Sequence, residues 1–586
     1  MAGNYTYTGQ AAGSLKLQKY NNFRGVDFTD DNVSESRSPD SLNMWKNYKT
    51  LGKMIETRPD IELQLQLDNT IYGLFFYTIN TVDHWIIHYG VKLIDYNPST
   101  QATTVLKASG MNPNKSVAFI YNNILFIKDG INYLEYNGTV ISNVTGTVPL
   151  TTIGRKPDGG GTQYQDINLL SNYRKNSFMG DGTSTIYHLD ADHIDSVSDV
   201  KVNGSSVLPS TYTVSTTDGT VTFNTAPSEA VSDDNVVITY SKSISGNANK
   251  ILKCTLACMF DNRIFFSGNQ DYPNALFWCN YNDPRYIGDL NYSLEGTDVA
   301  KVKALIPSNN ALWVCKEPSQ ANTTIFYHTP IEIYDNRLED TVKTYPSVHS
   351  SISIGCIATG INFNDDIVFF SDRGMEGITG DITTEQVLGH RSTLVDRKLL
   401  SESNYKNMAL QEWDGYLLVL IDNKAYLADS RQIVANVNHN EYEWFYWEFS
   451  KDINVAAENQ GTLYLCTKVK NGASYIYTLT NNNTNRTVSA HWTTKMDDYG
   501  YPQMLKTTNK RGFKCDVAGT TITISSKLDN GTFETLGTYT NTKGYIVAKL
   551  KKKKWNKIQL KFSSTSYFGI YGVALESYIG GYVKRS

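Results

Sequence analysis

A phrase of strand, tight turn and strand recurs through the middle of this chain, and it limits the possible folds more than any other feature. The stretch DHWIIHYGVKLIDYN, beginning at Asp83, aligns without a gap on NILFIKDGINYLEYN, beginning at Asn123, an offset of 40 residues. The turn glycine and the final tyrosine and asparagine coincide in the two copies. Apolar runs around a Gly or Asn turn are typical of β-hairpins, so each copy predicts paired strands.

The same phrase recurs five more times, with successive starts 45 to 55 residues apart. A period of this length, with several strands in each unit, is typical of a β-propeller. We therefore predict an all-β fold, a β-propeller of about six to seven blades over residues 66–154 and 246–486. The further copies begin at Phe260, Ser308, Phe363, Trp413 and Glu458.

The interval between two of these copies indicates an inserted domain. Asn123 and Phe260 are 137 residues apart, which fits one blade plus a guest of some 90 residues. The guest, residues 155–245, opens with a glycine-rich stretch and then alternates apolar and polar residues. It contains the hairpin dipeptides Asn203-Gly204 and Asp218-Gly219. We predict that it is a β-sandwich.

The two ends of the chain depart from the repeat. Residues 487–586 contain short strands around turns, and we predict a second β-sandwich there. Residues 1–65 read as a polar N-terminal arm, with one helical turn in which Ser38 caps and Pro39 takes the first helical position. A second short helix is predicted at 392–403. The chain is otherwise expected to be nearly all β.

Charge and aromatic content narrow the classes of function. The 586 residues include 54 basic and 58 acidic side chains, a formal net charge of −4, which excludes a strongly basic nucleic-acid-binding domain. The 39 tyrosines outnumber the 22 phenylalanines and nine tryptophans together. Aromatic rings with a polar end favour sheets and subunit interfaces.

Sequence signatures of catalysis are missing. The chain has no GxSxG, P-loop or Rossmann fingerprint. The acidic doublets Glu339-Asp340 and Asp365-Asp366 are poor catalytic pairs, because neighbours on a strand point to opposite faces. We therefore predict that the protein is not an enzyme and needs no cofactor.

Two groups of residues raise the question of a metal site. His84 and His88 lie four apart in HWIIH and share one face of the predicted strand. The matching positions of the next copy are Ile124 and Lys128, so we interpret the histidines as strand-surface residues. The acidic run 190–199 lacks the glycine-kinked spacing of a calcium loop and is interpreted as a solvated loop. No metal site is predicted.

The seven cysteines are odd in number and scattered through apolar stretches. Cys254 and Cys258 are four apart, but no second pair or nearby histidine completes a zinc set. We interpret the cysteines as buried small hydrophobes in a reducing compartment. The first residues lack a basic and then apolar leader, so no secretory signal is expected. Apolar runs such as 416–421 are far shorter than the ~18 residues of a membrane helix, so no membrane span is expected.

Six lysines fall within nine positions in KLKKKKWNK. One interpretation is a solvated turn or a lysine-protected edge strand. The other is a contact to an acidic neighbouring subunit or to DNA phosphates. The candidate contact residues are Lys551, Lys552, Lys553 and Lys554.

Several phrases resemble a known family. The segment FRGVDFTDDNVSESRSPDSLNMWKNYKTLGKMIETRPDI is similar to the opening of bacteriophage tail proteins of the nozzle, or packaged-DNA stabilisation, type. NRIFFSGNQDYPNALFWCNYNDPRYI resembles a blade of the same family. Asp60 stands where that family usually has glycine. The matching positions are Gly25, Val26, Ser38, Pro39, Asn43, Arg58, Pro59, Arg263, Pro273, Trp278, Asp283 and Pro284.

This resemblance implies a structural virion protein of the phage tail, assembled in the host cytoplasm. It implies a cyclic homo-oligomer, a hexamer by preference, that contacts portal and adaptor proteins and tail fibre or tail tip proteins. Such a ring forms or closes the channel for genome retention and ejection, through which double-stranded DNA passes transiently. The alternatives are a distal receptor-binding protein that recognises host glycans and, last, a propeller glycosidase.

Overall fold

The computed structural model describes residues 14–582 except 32, 50–54, 80, 380–385, 436–439, 481–486, 509–511 and 551–553. The chain divides into two compact units, the first made of Met1–Ile71, Phe370–Thr379 and Leu388–Ser586, and the second of Tyr72–Phe369 and Gly380–Val387. Across those described residues, no helix is long and apolar enough to cross a membrane.

The N-terminal residues of the first unit form short strands, and the helical turn predicted at Ser38 and Pro39 is wrong. Ser41 pairs with Trp492 in an antiparallel bridge, and the Ser38 hydroxyl accepts a hydrogen bond from the Thr493 amide at 3.3 Å. Pairing with a distant strand thus overrides the local capping signal. The strands are β1 (Ser14–Tyr20), β2 (Gly25–Val26), β3 (Arg37–Ser38), β4 (Ser41–Leu42), β5 (Met44–Trp45), β6 (Ile55–Thr57) and β7 (Asp60–Leu67).

Two four-stranded antiparallel sheets follow, whose strands pair in chain order. The copies beginning at Asp83 and Asn123 supply the second and third strands of these two sheets, as the repeat predicts. Blade 1 contains β8 (Ile71–Ile79), β9 (Val82–Tyr89), β10 (Lys92–Asn97) and β11 (Ala102–Lys107). Blade 2 contains β12 (Val117–Tyr121), β13 (Ile124–Lys128), β14 (Tyr133–Tyr136) and β15 (Ile141–Asn143).

The inserted module, residues 150–241, has two sheets around one core. The six-stranded sheet has the order β17-β16-β18-β24-β20-β21, and the three-stranded sheet has the order β19-β23-β22. Val200 and Ile238 of the first sheet pack with Tyr187 and Val221 of the second. Its strands are β16 (Leu150–Arg155), β17 (Thr162–Gln163), β18 (Tyr173–Phe178), β19 (Ile186–His188), β20 (Ser196–Val202), β21 (Ser205–Ser206), β22 (Tyr212–Ser215), β23 (Thr220–Phe223) and β24 (Val236–Ser241).

The second unit continues after helix α1 (Asn247–Leu252) with two more blades. In blade 4 a hairpin projects between the third and fourth strands. Blade 3 contains β25 (Leu256–Phe260), β26 (Arg263–Ser267), β27 (Ala275–Trp278) and β28 (Tyr292–Leu294). Blade 4 contains β29 (Val302–Pro307), β30 (Leu312–Lys316), β31 (Ile325–His328) and β34 (Ser347–His349), with the projecting hairpin β32 (Ile331–Asp335) and β33 (Asp340–Thr344).

Three further sheets complete the series of seven. Blade 5 contains β35 (Gly360–Phe363), β36 (Asp366–Ser371), β37 (Gly374–Thr379) and β38 (Val387–His390). Helix α2 (Asp396–Leu399) follows, within the region predicted as helical. Blade 6 contains β39 (Ala409–Trp413), β40 (Tyr416–Ile421), β41 (Lys424–Ala435) and β42 (Asn440–Glu448). Blade 7 contains β43 (Ile453–Asn459), β44 (Thr462–Thr467) and β45 (Ser474–Thr480).

N-terminal strands complete the last two blades of the first unit. Strand β7 pairs with β45 and becomes the fourth strand of blade 7, and β2 and β3 extend blade 6 beyond β42. In the second unit, the first strands β12, β25, β29 and β35 lie beside one another in succession. Radial packing of four-stranded meanders is the arrangement of a β-propeller. The predicted all-β propeller is confirmed, and the residues that the structure describes form seven blades.

The C-terminal residues form one ten-stranded sheet together with β1, β4, β5 and β6. Strand β48 pairs with β51 through its first half and with β50 through its second, so the sheet folds back on itself. The sequence pattern did not predict this contribution from the N-terminal residues. The C-terminal strands are β46 (Ala490–Thr493), β47 (Met504–Thr508), β48 (Phe513–Leu528), β49 (Glu534–Ala548), β50 (Ile558–Ser564) and β51 (Phe568–Tyr582).

Candidate functional sites: a buried junction and a cleft

Asn43 connects three segments of the first unit. It lies between β4 and β5. Its backbone has a positive φ of 56°, a conformation that asparagine tolerates better than most residues. Its side-chain Oδ1 accepts hydrogen bonds from Arg58 Nε at 2.9 Å and from the Glu448 amide at 2.8 Å. Its Nδ2 donates to the Ser489 carbonyl at 2.8 Å. One amide side chain thus ties residues far apart in sequence through three hydrogen bonds.

Arg58 completes this junction from the other side. It is 5% exposed, and its Nη1 and Nη2 donate to the carbonyls of Pro59 and Glu448 at 2.7 and 2.9 Å. Its guanidinium lies 4.8 Å from the ring centroid of Phe449. Carbonyl oxygens and an aromatic face stabilise the buried charge. The predicted positions Asn43, Arg58 and Pro59 therefore form one structural joint.

Gly25 belongs to the same region and cannot carry a side chain. Its φ is +146°, and a Cβ added there would lie 2.2 Å from the Trp444 carbonyl oxygen. Nearby, Arg37 donates from Nε and Nη2 to both carboxylate oxygens of Glu443, each at 2.9 Å. The N-terminal segment is thus held against blade 6 by close backbone contact and by a forked ion pair.

Arg263 lies in the second unit, at the start of β26. Its Nε donates to the Tyr345 hydroxyl and its Nη1 to the Cys279 carbonyl, both at 2.9 Å. Tyr345 donates in turn to Asp261 at 2.7 Å, and Lys343 donates to the same carboxylate at 2.9 Å. Burial opposes ionisation of Asp261, but hydrogen bonds from Lys343 and Tyr345 outweigh it and lower the pKa of the carboxyl.

Trp278 packs beside this network and is part of the core. It is 8% exposed, and its ring centroid lies 5.7 Å from that of Tyr345 and 5.9 Å from that of Phe265. Tyr345 thus brings Arg263 and Trp278 together. Tyr345 and Lys343 could not be identified from the sequence, because nothing in their local pattern shows that the chain returns them to blade 3. The DN turn that contains Asp261 was the available signal.

Asp283 and Pro284 occupy a different joint, between blades 2 and 3. The Asp283 carboxylate accepts a hydrogen bond from the Thr147 hydroxyl at 2.7 Å and from the Arg285 amide at 2.9 Å. The Pro284 carbonyl accepts one from the Tyr133 hydroxyl at 3.0 Å. These positions therefore fix neighbouring blades to one another.

The two histidines of blade 1 have different environments. His84 lies 2.7 Å from Asp95 through Nδ1 and is partly exposed. His88 is fully buried, with Nδ1 3.0 Å from the Ser116 hydroxyl, and burial lowers its pKa. The strand-surface interpretation is wrong for His88, because both faces of this blade strand are covered by protein. Among the residues with described positions, no three His, Cys, Asp or Glu side chains are grouped as a metal site.

The lysine cluster is only partly described. Lys551, Lys552 and Lys553 lie outside the described residues, and Lys554 is exposed. The predicted subunit or DNA contact of these lysines stays a prediction. The seven cysteines are all free thiols, and all except the half-buried Cys258 are buried.

Comparison with known proteins gives no family. No family model matches the chain, and no curated protein matches it. The chain is similar to a structure of the Dos1 propeller, with 10% sequence identity, a TM-score of 0.34, and 72% of this chain and 95% of that chain covered. It is also similar to the Pan2 WD40 domain of Neurospora crassa, with 7% identity, a TM-score of 0.26, and 72% and 97% covered. Values this low support no functional inference, and the propeller assignment depends on the sheets described above.

Proposed function

We propose that this chain is a structural subunit of a bacteriophage tail, of the nozzle or hub type, and that it assembles into a cyclic ring. The observation that carries the proposal is that residues matching the phage tail family lie at structural joints of the fold. Asn43 and Arg58 form a buried joint in the first unit, and Asp283 and Pro284 form a joint between blades 2 and 3. Residues that hold modules in place are what an architectural protein requires.

Charge supports the same role. A channel for double-stranded DNA has to guide the duplex without binding it tightly, and tight binding needs many lysine or arginine contacts to phosphates. The net charge of −4 is compatible with such a passage. The partners we propose are further copies of the chain, portal and adaptor proteins, and tail fibre or tail tip proteins, with the assembled tail of the virion as the location. We propose no catalytic activity for the chain.

Imaging of the purified full-length chain tests this proposal. Negative-stain microscopy should show closed rings with a central channel, and mass photometry should give a multiple of 65.7 kDa, with about six subunits expected. Particles that stay monomeric at every concentration, both alone and with purified portal and adaptor proteins, would contradict it.

One observation favours a second candidate function, glycan recognition. Arg263 and Trp278 contribute to a cleft in the second unit. A structural tail subunit and a glycan-binding site are compatible in one chain.

A further inference from the structure

A cleft of about 500 Å³ lies in the second unit. Three parts of the chain form it: blade 3 with its following loop, the hairpin β32–β33, and the segment Tyr164–Asp166 of the inserted module. Small-molecule sites commonly have volumes of about 300–1,000 Å³. The cleft therefore has the size of a binding site for a short organic ligand.

The walls of the cleft are held together by Arg337 of the hairpin. Its Nη1 donates to Asp166 of the inserted module at 3.1 Å, and its Nη2 donates to Asp335 at 2.8 Å. Tyr286 of blade 3 donates to the Asp166 carbonyl at 2.6 Å. Three separate segments are thus fixed to one another by hydrogen bonds, so the cleft is preformed.

Its charges are balanced. The lining residues include three cations, Arg263, Arg337 and Lys343, and three anions, Asp166, Asp335 and Asp340. Arg337 is paired with Asp166 and Asp335. Lys343 is paired with Asp261 behind the lining. An anionic ligand would have to compete with these carboxylates, so the cleft favours a neutral one.

The remaining lining groups suit a ligand that is both apolar and rich in hydroxyls. Tyr281 is 54% exposed, and the Arg263 guanidinium lies 5.9 Å from its ring centroid. The side chains of Asn280 and Asn291 share one hydrogen bond of 2.6 Å, and two amides together have more donors and acceptors than one contact uses. A tyrosine ring offers an apolar face for stacking, and the amides offer directional hydrogen bonds.

We propose that this cleft binds a neutral oligosaccharide. One sugar ring stacks on Tyr281, and its hydroxyls exchange hydrogen bonds with Asn280, Asn291 and the edge of the Arg337–Asp335 pair. Sugars combine apolar C–H faces with many uncharged hydroxyls, which is the combination that the lining offers.

Saturation-transfer NMR on the full-length chain tests the proposal, with neutral trisaccharides of glucose, mannose, galactose and N-acetylglucosamine as probes. At least one trisaccharide should give signals that persist at high salt, because no ion pair to the ligand is involved. Tyr281→Ala should weaken that binding about tenfold or more. Tyr334→Ala is the matched control. Tyr334 is 63% exposed on the same hairpin, but it points away from the cleft between the lining residues Ile333 and Asp335.

Three results would overturn the proposal: no signal from any probe, equal binding by Tyr281→Ala with unchanged thermal unfolding, or binding of sialylated and sulfated glycans only. The readout is independent of assembly. Rings without sugar binding would refute the cleft proposal alone, and monomers that bind sugar would refute the tail proposal alone.

Discussion

Arg58 Nε lies 2.9 Å from Asn43 Oδ1, and both side chains are at most 5% exposed. The two residues flank β5 and β6 and also bind the backbone of Glu448. This pair of side chains therefore adds to the strand pairing that joins the N-terminal strands to blade 6 and to the C-terminal sheet.

Removal of the Asn43 side chain should destabilise the first unit. Asn43→Ala leaves the Arg58 Nε and the Glu448 amide without their acceptor in a buried site, so we expect a loss of about 2–4 kcal/mol. Chemical denaturation followed by tryptophan fluorescence measures it. Asn322→Ala is the control, since Asn322 shares a positive φ, 53°, on an exposed loop. Equal effects of the two substitutions would show that the backbone conformation, and not the junction, matters.

His390 should make the free energy of unfolding depend on pH in the alkaline range. Burial alone would lower its pKa, but hydrogen bonds with Asp396 at 2.6 Å and Glu376 at 3.2 Å raise the pKa to about 10. The pKa in the unfolded chain is about 6.5. The stabilisation is therefore complete below pH ~6.5 and is lost progressively as the pH rises through 10.

The variant His390→Gln isolates this contribution from the ionisation of lysines and tyrosines. Thermal unfolding between neutral and alkaline pH should show a steeper decline for the wild type than for the variant. Parallel curves would mean that His390 does not carry the linkage.

The buried acid Glu295 should matter far more than an acid in a surface ion pair. Glu295 is fully buried, with Oε1 3.1 Å from His328 Nε2 and hydrogen bonds from the Ser293 and Ser347 hydroxyls. Burial opposes its ionisation, but the hydrogen bond with His328 contributes to a lowered pKa. Glu295→Ala should cost about 3–5 kcal/mol in the free energy of unfolding.

Asp271→Ala provides the comparison for Glu295. Asp271 pairs with Lys253 at 2.6 Å, but both side chains are about half exposed, so its loss should cost about 0–1 kcal/mol. Calorimetry of both variants measures the difference. A cost for Glu295→Ala as small as that for Asp271→Ala would refute the assigned role of the buried pair.

The thiols should react slowly while the chain is folded. Burial raises the pKa of Cys254, Cys258 and Cys279 to about 12, so little reactive thiolate exists at neutral pH. Titration with a disulfide reagent should detect seven thiols in denaturant and a much slower reaction without it. Cys258, the half-buried one, should react first. Rapid reaction of several thiols in the native protein would contradict this packing.

Strand β7 should be required to cover the edge of blade 7 and to keep the protein from aggregating. Deletion of residues 1–67 removes β7 and with it β1 to β6, so it leaves unpaired edges on β45, on blade 6 and on the C-terminal sheet, and such edges promote aggregation. Size-exclusion chromatography should show aggregates or a poor yield. Deletion of residues 1–13 is the control, because it keeps every strand described above. If the 1–67 deletion eluted as a soluble species in the same yield as this control, β7 would not be needed to cover the edge of blade 7.

The blades were predictable because their turns are local. In five blades a two-residue turn with positive φ joins the first and second strands, a geometry that Asn, Asp and Gly favour. The sequence shows these residues directly. The turns are Asn122–Asn123, Asp261–Asn262, Asn364–Asp365, Asp414–Gly415 and Gln460–Gly461.

The N-terminal strands and the Arg263 network were not predictable in this way. Ser41 pairs with Trp492, and Arg263 reaches Tyr345, so the partners lie tens to hundreds of residues away. The local sequence at Ser38 favours a helix cap, but in the folded chain the neighbouring residues pair with the distant strand β46 instead. Sequence patterns of short range carry no information about such partners.

The way in which the inserted module is attached affects how the chain can evolve by exchange of domains. The chain enters the module on β16 and leaves it on β24, and both strands pair with β18. Arrival and departure are thus two strand spacings, about 10 Å, apart. A domain attached in this way could be exchanged for another of similar span, provided that the replacement also fills the core position that Leu169 occupies beside blades 2 and 3.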